Sequence, residues 1–413
     1  MKTPDFLDQK SSCDRFIPQR KEQENYDYKI MKTLNQKTQE KSKILKNLFP
    51  FIEANVLHFR KSDKMKENAF LNNSERIPAA NFPTKFIKKG ERKIYDAPHF
   101  KNDYYLHLID AIDENLIAVV LGGVGHVFHK DTNQVVTLKS GLETNDVIEP
   151  TSISFSKSRK GLLGMGTSKG TLQFWDWKVQ KIVKTVETHT ERIGCIQWNP
   201  YNENLFATGS KDNKVCVGDF NDPQSRLTGK GHFGEICGLS WNANGWVLAS
   251  GGNDNLVNIW DIRNFKEPIS TLREHKAAVR ALGWCPWKSS LLASGGGSGD
   301  MRLLVTNVDQ GNITQEIHTS SQVCALVWDE EVKAILTAHG FSKYQLSLWK
   351  YDTSELIYEF MGHKNRILSM LKVQSTGAII TASADETIRV WNMKQFLKPF
   401  IKDNSLLNPV LLR

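Results

Sequence analysis

Two series of aromatic residues recur along this chain at one period, and a fixed period of about 40 to 45 residues is the mark that propeller blades leave in a sequence. Trp175, Trp260, Trp349 and Trp391 each follow a turn rich in glycine or other small residues, as in SGGNDNLVNIWD (Ser250 to Asp261) and TASADETIRVWN (Thr381 to Asn392). Their gaps of 85, 89 and 42 residues are two, two and one repeat lengths. The skipped copies end at Gly218, in GSKDNKVCVGD, and at Thr306, in GGGSGDMRLLVTN, where the tryptophan is lost and the turn survives. An earlier copy ends at Phe128, in VLGGVGHVFH, which makes seven. The second series is Phe155, Trp198, Trp241, Trp284 and Trp328, each closing a short apolar run such as ICGLSW or VRALGW.

The reading is an all-β, seven-bladed WD-repeat propeller over residues 93–395, with an arm at 1–92 and a tail at 396–413. One four-stranded blade cannot bury both of its faces, whereas seven packed into a ring can, and closure protects most strand edges. His189, His232, His275, His318 and His363 precede the blade ends by 28 to 31 residues, where such repeats place a histidine. We expect them to hydrogen-bond buried Asp and aromatic groups rather than bind metal or catalyse. The departures at Gly218, at Val305-Thr306-Asn307 and at His126-Val127-Phe128 predict locally weaker blades.

Charge separates the arm from the ring. Residues 1–93 hold 21 Lys/Arg against 12 Asp/Glu, leaving 33 of each in the remainder of a chain whose net charge is +9. The arm lacks the Arg clusters and interleaved aromatics of a nucleic-acid binder, so solvated disorder is expected there, with an amphipathic helix around Ile44 to Phe59. No apolar run approaches the roughly 18 residues of a membrane helix, and the first thirty residues do not read as a signal peptide. Cys13, Cys195, Cys216, Cys237, Cys285 and Cys324 are scattered singly, without zinc-ligand spacing. They read as reduced, mostly buried thiols of a protein of the nucleus and cytoplasm. With no phosphate-binding loop, metal-ligand cluster or nucleophile motif, we expect a non-catalytic chain without cofactors. A propeller alone would suit a scaffold in any complex.

Within the arm, Asp14-Arg15-Phe16-Ile17-Pro18-Gln19-Arg20 is similar to the DR(F/Y)IPxR pattern called the C-box, a signature of fizzy-type co-activators of the anaphase-promoting complex. Arg15 and Arg20 offer charge to partner carboxylates, Phe16 and Ile17 offer apolar anchors, and Pro18 limits the entropy lost on ordering. The ring resembles the same family through ASGGNDN (Ala249 to Asn255), LLASGGG (Leu291 to Gly297), SQVC (Ser321 to Cys324), AHGF (Ala338 to Phe341) and ADET (Ala384 to Thr387). NDNLVNIW and WCPW (Trp284 to Trp287) look more like fizzy proper, the mitotic branch, than fizzy-related. The chain ends in Leu412-Arg413, which looks like the family's Ile-Arg docking tail.

The resemblance implies that the C-box and the tail dock tetratricopeptide-repeat subunits of the ubiquitin ligase while the ring binds degrons on substrates such as cyclins and securin-like proteins. It implies that the arginine of an RxxL destruction box meets Asp96 and Glu386 between the first and last blades, with Asp385 kept as a turn residue. Tyr95 stands where the family has a leucine of the pocket for the degron's own leucine. A KEN degron would meet Asp103, Tyr104, Asn253, Asn255, Ser298, Gln322 and Arg366, with Asp103 facing the lysine and Arg366 the glutamate. The arm carries its own Lys66-Glu67-Asn68, a candidate pseudosubstrate in spindle-checkpoint inhibition or a degron on this protein itself, and Lys43-Ile44-Leu45-Lys46 faintly resembles the family's KILR motif. Thr3-Pro4 is the one Ser/Thr-Pro pair of the arm, so proline-directed phosphorylation is expected to be reduced.

Overall fold

The computed structural model describes residues 85–87, 91–139 and 148–393, the side chains of 85–87 and of 91 and 92 excepted. The C-box, the helix expected around Ile44 to Phe59, Lys43 to Lys46, Lys66-Glu67-Asn68, Thr3-Pro4, Cys13 and Leu412-Arg413 lie outside the described residues. The described residues form seven antiparallel sheets and no α-helix, and the innermost strands touch in sequence until the last meets the first.

From innermost to outermost strand, blade 1 is Ile109–Ala111, Leu116–Leu121, Val124–His129 and Gln134–Leu138, and blade 2 is Pro150–Phe155, Leu162–Thr167, Thr171–Asp176 and Lys181–Glu187. Blade 3 is Ile193–Trp198, Leu205–Ser210, Lys214–Asp219 and Arg226–Lys230, and blade 4 is Ile236–Trp241, Val247–Gly252, Val257–Asp261 and Ser270–Leu272. Blade 5 is Val279–Trp284, Leu291–Gly296, Arg302–Asn307 and Asn312–His318. Blade 6, Val323–Asp329, Ala334–His339, Leu346–Lys350 and Leu356–Phe360, gains a fifth, parallel strand at Lys85–Ile87. Blade 7 has Ile367–Lys372, Ile379–Ser383 and Thr387–Trp391, and takes its outermost strand, Glu91–Asp96, from the other end of the ring.

Strand composition follows radial position. Inner strands covered on both faces, such as Pro150–Phe155 and Leu162–Thr167, are buried at every residue. The outer Lys181–Glu187 and Asn312–His318 are mostly exposed and carry the charged and polar residues.

The two aromatic series do different work. The second series staples neighbouring blades: the indole N–H groups of Trp198, Trp241, Trp284 and Trp328 donate to the carbonyls of Ser154, Gln197, Ser240 and Gly283 in the preceding blade, at 3.3, 3.3, 2.9 and 2.8 Å. In blade 7 Lys372 replaces the tryptophan, reaching Trp328 O at 3.3 Å and Asp329 at 2.9 Å. The first series ends the third strand of each blade and works within it. In blade 4 Trp260 Nε1 donates to Ser250 Oγ (2.8 Å), which meets His232 Nε2 (2.7 Å), whose Nδ1 meets Asp254 (2.9 Å). Blade 7 repeats the chain as Trp391, Thr381, His363 and Asp385 at 2.8, 2.7 and 3.0 Å.

Blades without the tryptophan keep part of this chain. His189 joins Asp212 to Thr208, and His275 joins Asp300 to Ser294. At Gly218 the missing indole has a physical replacement: a Cβ there would lie 2.6 Å from Phe206 Cζ, because the Phe206 ring fills the space and packs on Phe174 and Trp198. His318 departs from expectation. Its side chain is 79% exposed and meets Glu316 at 3.5 Å, because it ends an outer strand rather than entering the following loop. In blade 6 His339, from the second strand, meets Thr337 instead at 2.7 Å, and Thr337 also accepts from Trp349 Nε1 at 2.8 Å.

The channel at the centre is plugged by Arg280. Its fully buried guanidinium donates to Cys324 O (2.7 Å), Leu106 O (3.0 Å) and Leu368 O, tying blade 5 to blades 6 and 7 and to the segment leading into blade 1. Nearby, His107 Nε2 meets Cys237 O at 2.8 Å. Cys195, Cys216, Cys237, Cys285 and Cys324 are buried free thiols, inert by burial.

Titration of the buried groups has a definite sign. Burial, reinforced by Arg280, lowers His107 from 6.5 to about 3, and burial lowers His126 and His339 to about 4. Burial also lowers His363, outweighing Asp385, whereas at His189 the opposing burial is overcome by Asp212 and Cys216 and the value rises to about 9. The carboxyls of Asp212, Asp254, Asp300 and Asp385 are raised by burial but lowered further by their histidines, and lie below the usual range. The depressed histidines contribute stability that is complete above pH 6.5 and is lost as pH falls toward 4 and then 3, since only the unfolded imidazoles take up protons. His189 works in the other direction: its contribution is complete below pH 6.5 and is lost progressively as pH rises from there through 9. The thermal unfolding midpoint is therefore expected to be lower at about pH 5 than at about pH 7, by calorimetry at matched ionic strength. Restoring the repeat residue in blade 3 has a counterintuitive outcome. Gly218→Trp is expected to destabilise the ring by about 1–3 kcal/mol in denaturant melts, because Phe206 already occupies the site.

Candidate functional site

In an antiparallel blade, the turns between second and third strands and the loops from each outer strand to the next inner strand emerge at the same end of the ring. Every ring position singled out from the sequence for degron binding falls at that end or leads to it. Asn253 and Asn255 sit in the second-to-third turn of blade 4, Ser298 in that of blade 5 and Glu386 in that of blade 7. Gln322 and Arg366 precede the inner strands of blades 6 and 7. Asp103 and Tyr104 lie on the segment 97–108 that crosses from the outermost strand of blade 7 to the inner strand of blade 1.

At the seam of blades 7 and 1, Asp96 is opposite Thr387 in the strand register, and Ala97 N donates to Glu386 O at 2.8 Å. Asp96, at the end of its strand, and Glu386, in the turn before the neighbouring strand, are thus held side by side in the chain register by the ring closure itself. Glu386 is exposed and has φ of 59°, a left-handed conformation that costs a non-glycine residue about 1–3 kcal/mol. Asp385 beside it is used within the fold, bonding His363 and the amides of Lys364 and Thr387. Tyr95 is only 3% exposed, with its ring edge-on to Phe128 at 5.5 Å in the core between the two blades, so it supports this seam from beneath rather than lining an open pocket. A separate cleft of about 340 Å³ lies nearby on blade 1, lined by His99, Phe100, Lys101 and Leu108, and contains none of the residues predicted for the destruction box.

Around the channel mouth the positions differ in how they are held. Tyr104 is buried; its hydroxyl donates to Val323 O at 3.4 Å, and burial raises its pKa well above 10. Arg366 is anchored through Nε and Nη2 on the side chain and carbonyl of Asn102. Gln322 Nε2 donates to Cys324 Sγ at 3.2 Å, in a place open to it because residue 340 is glycine: a Cβ there would lie 2.6 Å from Gln322 Cγ. Asn253 is exposed and its Oδ1 accepts from the Tyr105 hydroxyl at 2.9 Å. Asn255 has φ of 66° and serves the turn geometry as well. Asp103 accepts from Tyr105 N at 2.9 Å and pairs with Arg192 at 2.9 Å.

Sequence reasoning missed Asn102, Tyr105, Arg192, Glu235 and Gly340. Asn102 and Tyr105 stand next to named residues in NDYYLHL, but their partners are more than a hundred positions away, and no local pattern reveals such a pair. Among the described residues no group of three or more His, Cys, Asp or Glu is placed to hold a metal ion, and no helix is long and apolar enough to cross a membrane.

Residues 95–391 match the CDC20/Fizzy WD40 domain. The chain is 36% identical over 323 residues to a Dictyostelium discoideum protein named anaphase-promoting complex subunit cdc20, an alignment covering 78% of this chain and 62% of that relative. It is 37% identical to FIZZY-RELATED 3 of Arabidopsis thaliana, covering 75% and 63%, and 36% identical to meiotic fizzy-related protein 1 of Schizosaccharomyces pombe, covering 75% and 72%. Relatives of both branch names thus match equally well, and the preference for fizzy proper is not resolved by them. The ring superposes on a chain of a crystal structure of the mitotic checkpoint complex with a TM-score of 0.68 at 32% identity, covering 79% of this chain and 99% of that one. On the match across the whole ring, this chain belongs to the CDC20/Fizzy family of WD40 proteins.

Proposed function

We propose that this chain is a non-catalytic substrate receptor of the anaphase-promoting ubiquitin ligase, acting in the nucleus and cytoplasm on destruction-box and KEN degrons of cyclin- and securin-like substrates. The observation that carries this reading is the convergence at one end of the ring of two carboxylate residues, Asp96 at the end of the outermost strand of blade 7 and Glu386 in the adjoining turn, with a polar rim of Asn253, Ser298, Gln322 and Arg366. The first arrangement suits a degron arginine, since paired carboxylates form charge-assisted bonds to a guanidinium fork. The second suits a short peptide carrying an amide and a carboxylate, met by the Asn and Gln amides and by Arg366.

Family membership supports the same reading, as do the name of the Dictyostelium relative and the complex in which the structural neighbour was crystallised. By that analogy, checkpoint proteins are further partners. Docking would use the C-box, Asp14 to Arg20, and the terminal Leu412-Arg413 on two ligase subunits. Two modest anchors on one chain bind far more tightly together than singly, because the second engagement is intramolecular. Within the family, NDNLVNIW and WCPW favour the mitotic branch.

A labelled RxxL peptide is expected to bind the wild-type chain in the micromolar range and to lose at least about tenfold with Asp96→Ala/Glu386→Ala, read by fluorescence anisotropy. No binding by the wild type, alongside retention on the purified ligase that Arg15→Ala/Arg20→Ala abolishes, would leave a docking protein that recognises something else. The strained backbone at residue 386 separates function from folding. Glu386→Gly is expected to leave stability unchanged or raise it by up to about 1 kcal/mol in thermal melts while weakening the peptide.

A further inference from the structure

Asp103, where the lysine of a KEN peptide would arrive, is already engaged. Arg192 Nη1 reaches Asp103 Oδ2 at 2.9 Å, while Arg192 Nε and Nη2 form a two-pronged pair with Glu235 Oε1 and Oε2 at 2.7 and 2.8 Å. The three residues come from three separate parts of the ring: the crossing segment and the loops leading into the inner strands of blades 3 and 4. All are partly shielded, with side chains 19% (Asp103), 26% (Arg192) and 9% (Glu235) exposed. The other charge facing the group, Lys211, pairs with Glu191 at 3.1 Å. Asp103 is tied to the rest of the rim through Tyr105, whose amide donates to its Oδ1 and whose hydroxyl donates to Asn253.

The charge count is unbalanced. Two carboxylates share one guanidinium, and the fork geometry assigns that guanidinium to Glu235, where both prongs are satisfied. Asp103 receives a single bond from a cation whose charge is already matched. An ordinary structural ion pair would need Arg192 and one carboxylate only.

We propose that Arg192 and Glu235 are positioning residues for lysine specificity at this rim: Glu235 neutralises Arg192, so that Arg192 orients Asp103 without cancelling its charge toward the ammonium of an incoming peptide. The inference rests on the KEN reading of this face and adds two residues to it. Removing the charge of Glu235 leaves Arg192 to neutralise Asp103, and the preference for a cation disappears. Removing both charges restores the net negative count.

The test compares, for each variant of the full chain, the affinity for a KEN peptide with that for the same peptide carrying norleucine in place of lysine. A ratio within one protein is insensitive to the fraction folded. The wild type is expected to favour lysine by about fivefold, the size of a modest solvent-screened ion pair. Glu235→Gln is expected to bring the ratio close to one, Arg192→Gln/Glu235→Gln to return it to about fivefold, and the charge-keeping Glu235→Asp to retain it. A Glu235→Gln ratio equal to that of the wild type, or a double variant left at one, overturns the proposal, since a purely structural role gives no recovery on losing a second charge. If the wild type binds neither peptide, or binds both equally well after the peptide's asparagine is replaced by alanine, the KEN reading of the face fails first and the inference falls with it.

Discussion

Pairing of Glu91–Asp96 with Thr387–Trp391 is the contact on which the rest of this molecule depends. Without it blade 7 would be a three-stranded sheet with the backbone edge of its buried third strand uncovered, and such an edge is both unsatisfied and a template for pairing with other chains. The same strand brings Tyr95 into the core between blades 7 and 1, and it sets where the crossing segment begins. Asn102, Asp103, Tyr104 and Tyr105 all lie on that segment. Closure of the ring and construction of the candidate binding face are therefore done by one stretch of chain.

Inside the ring, structural and functional residues share turns. Asp254 lies between Asn253 and Asn255, and Asp385 lies beside Glu386; in each case the aspartate bonds a buried histidine and backbone amides. Breaking a buried pair of this kind by removing one partner costs about 3–5 kcal/mol. The histidine and aspartate that look inert toward substrate are thus what keep the exposed neighbours in place. The turn that offers an amide or a carboxylate to a peptide is rigid because its central residue points inward.

The irregular blades show how a repeat fold tolerates loss of its signature. Blade 3 fills the space over Gly218 with Phe206, and blade 6 finds a second-strand histidine, His339, where its neighbours use one from the preceding loop. Blade 7 uses Lys372 where blades 3 to 6 use a tryptophan staple. In each case the requirement is filled volume or a satisfied carbonyl, and the residue type is secondary.

Period, blade number, the covered inner strands and the general placement of the turns were legible in the sequence, because they follow from local alternation and from a repeat that must stack on itself. His232, His363 and Asp385 were readable for the same reason: their role recurs at a fixed offset. His318 was misread because an offset locates a residue along the chain and not whether its strand end turns inward. The union of Asp96 with Glu386, the anchoring of Arg366 on Asn102, the plug of Arg280 across four chain segments and the sharing of Arg192 between Asp103 and Glu235 were decided only by the closed ring. These contacts join residues tens to hundreds of positions apart across different blades, and their geometry is fixed by how seven sheets meet around an axis, a constraint that no single repeat encodes.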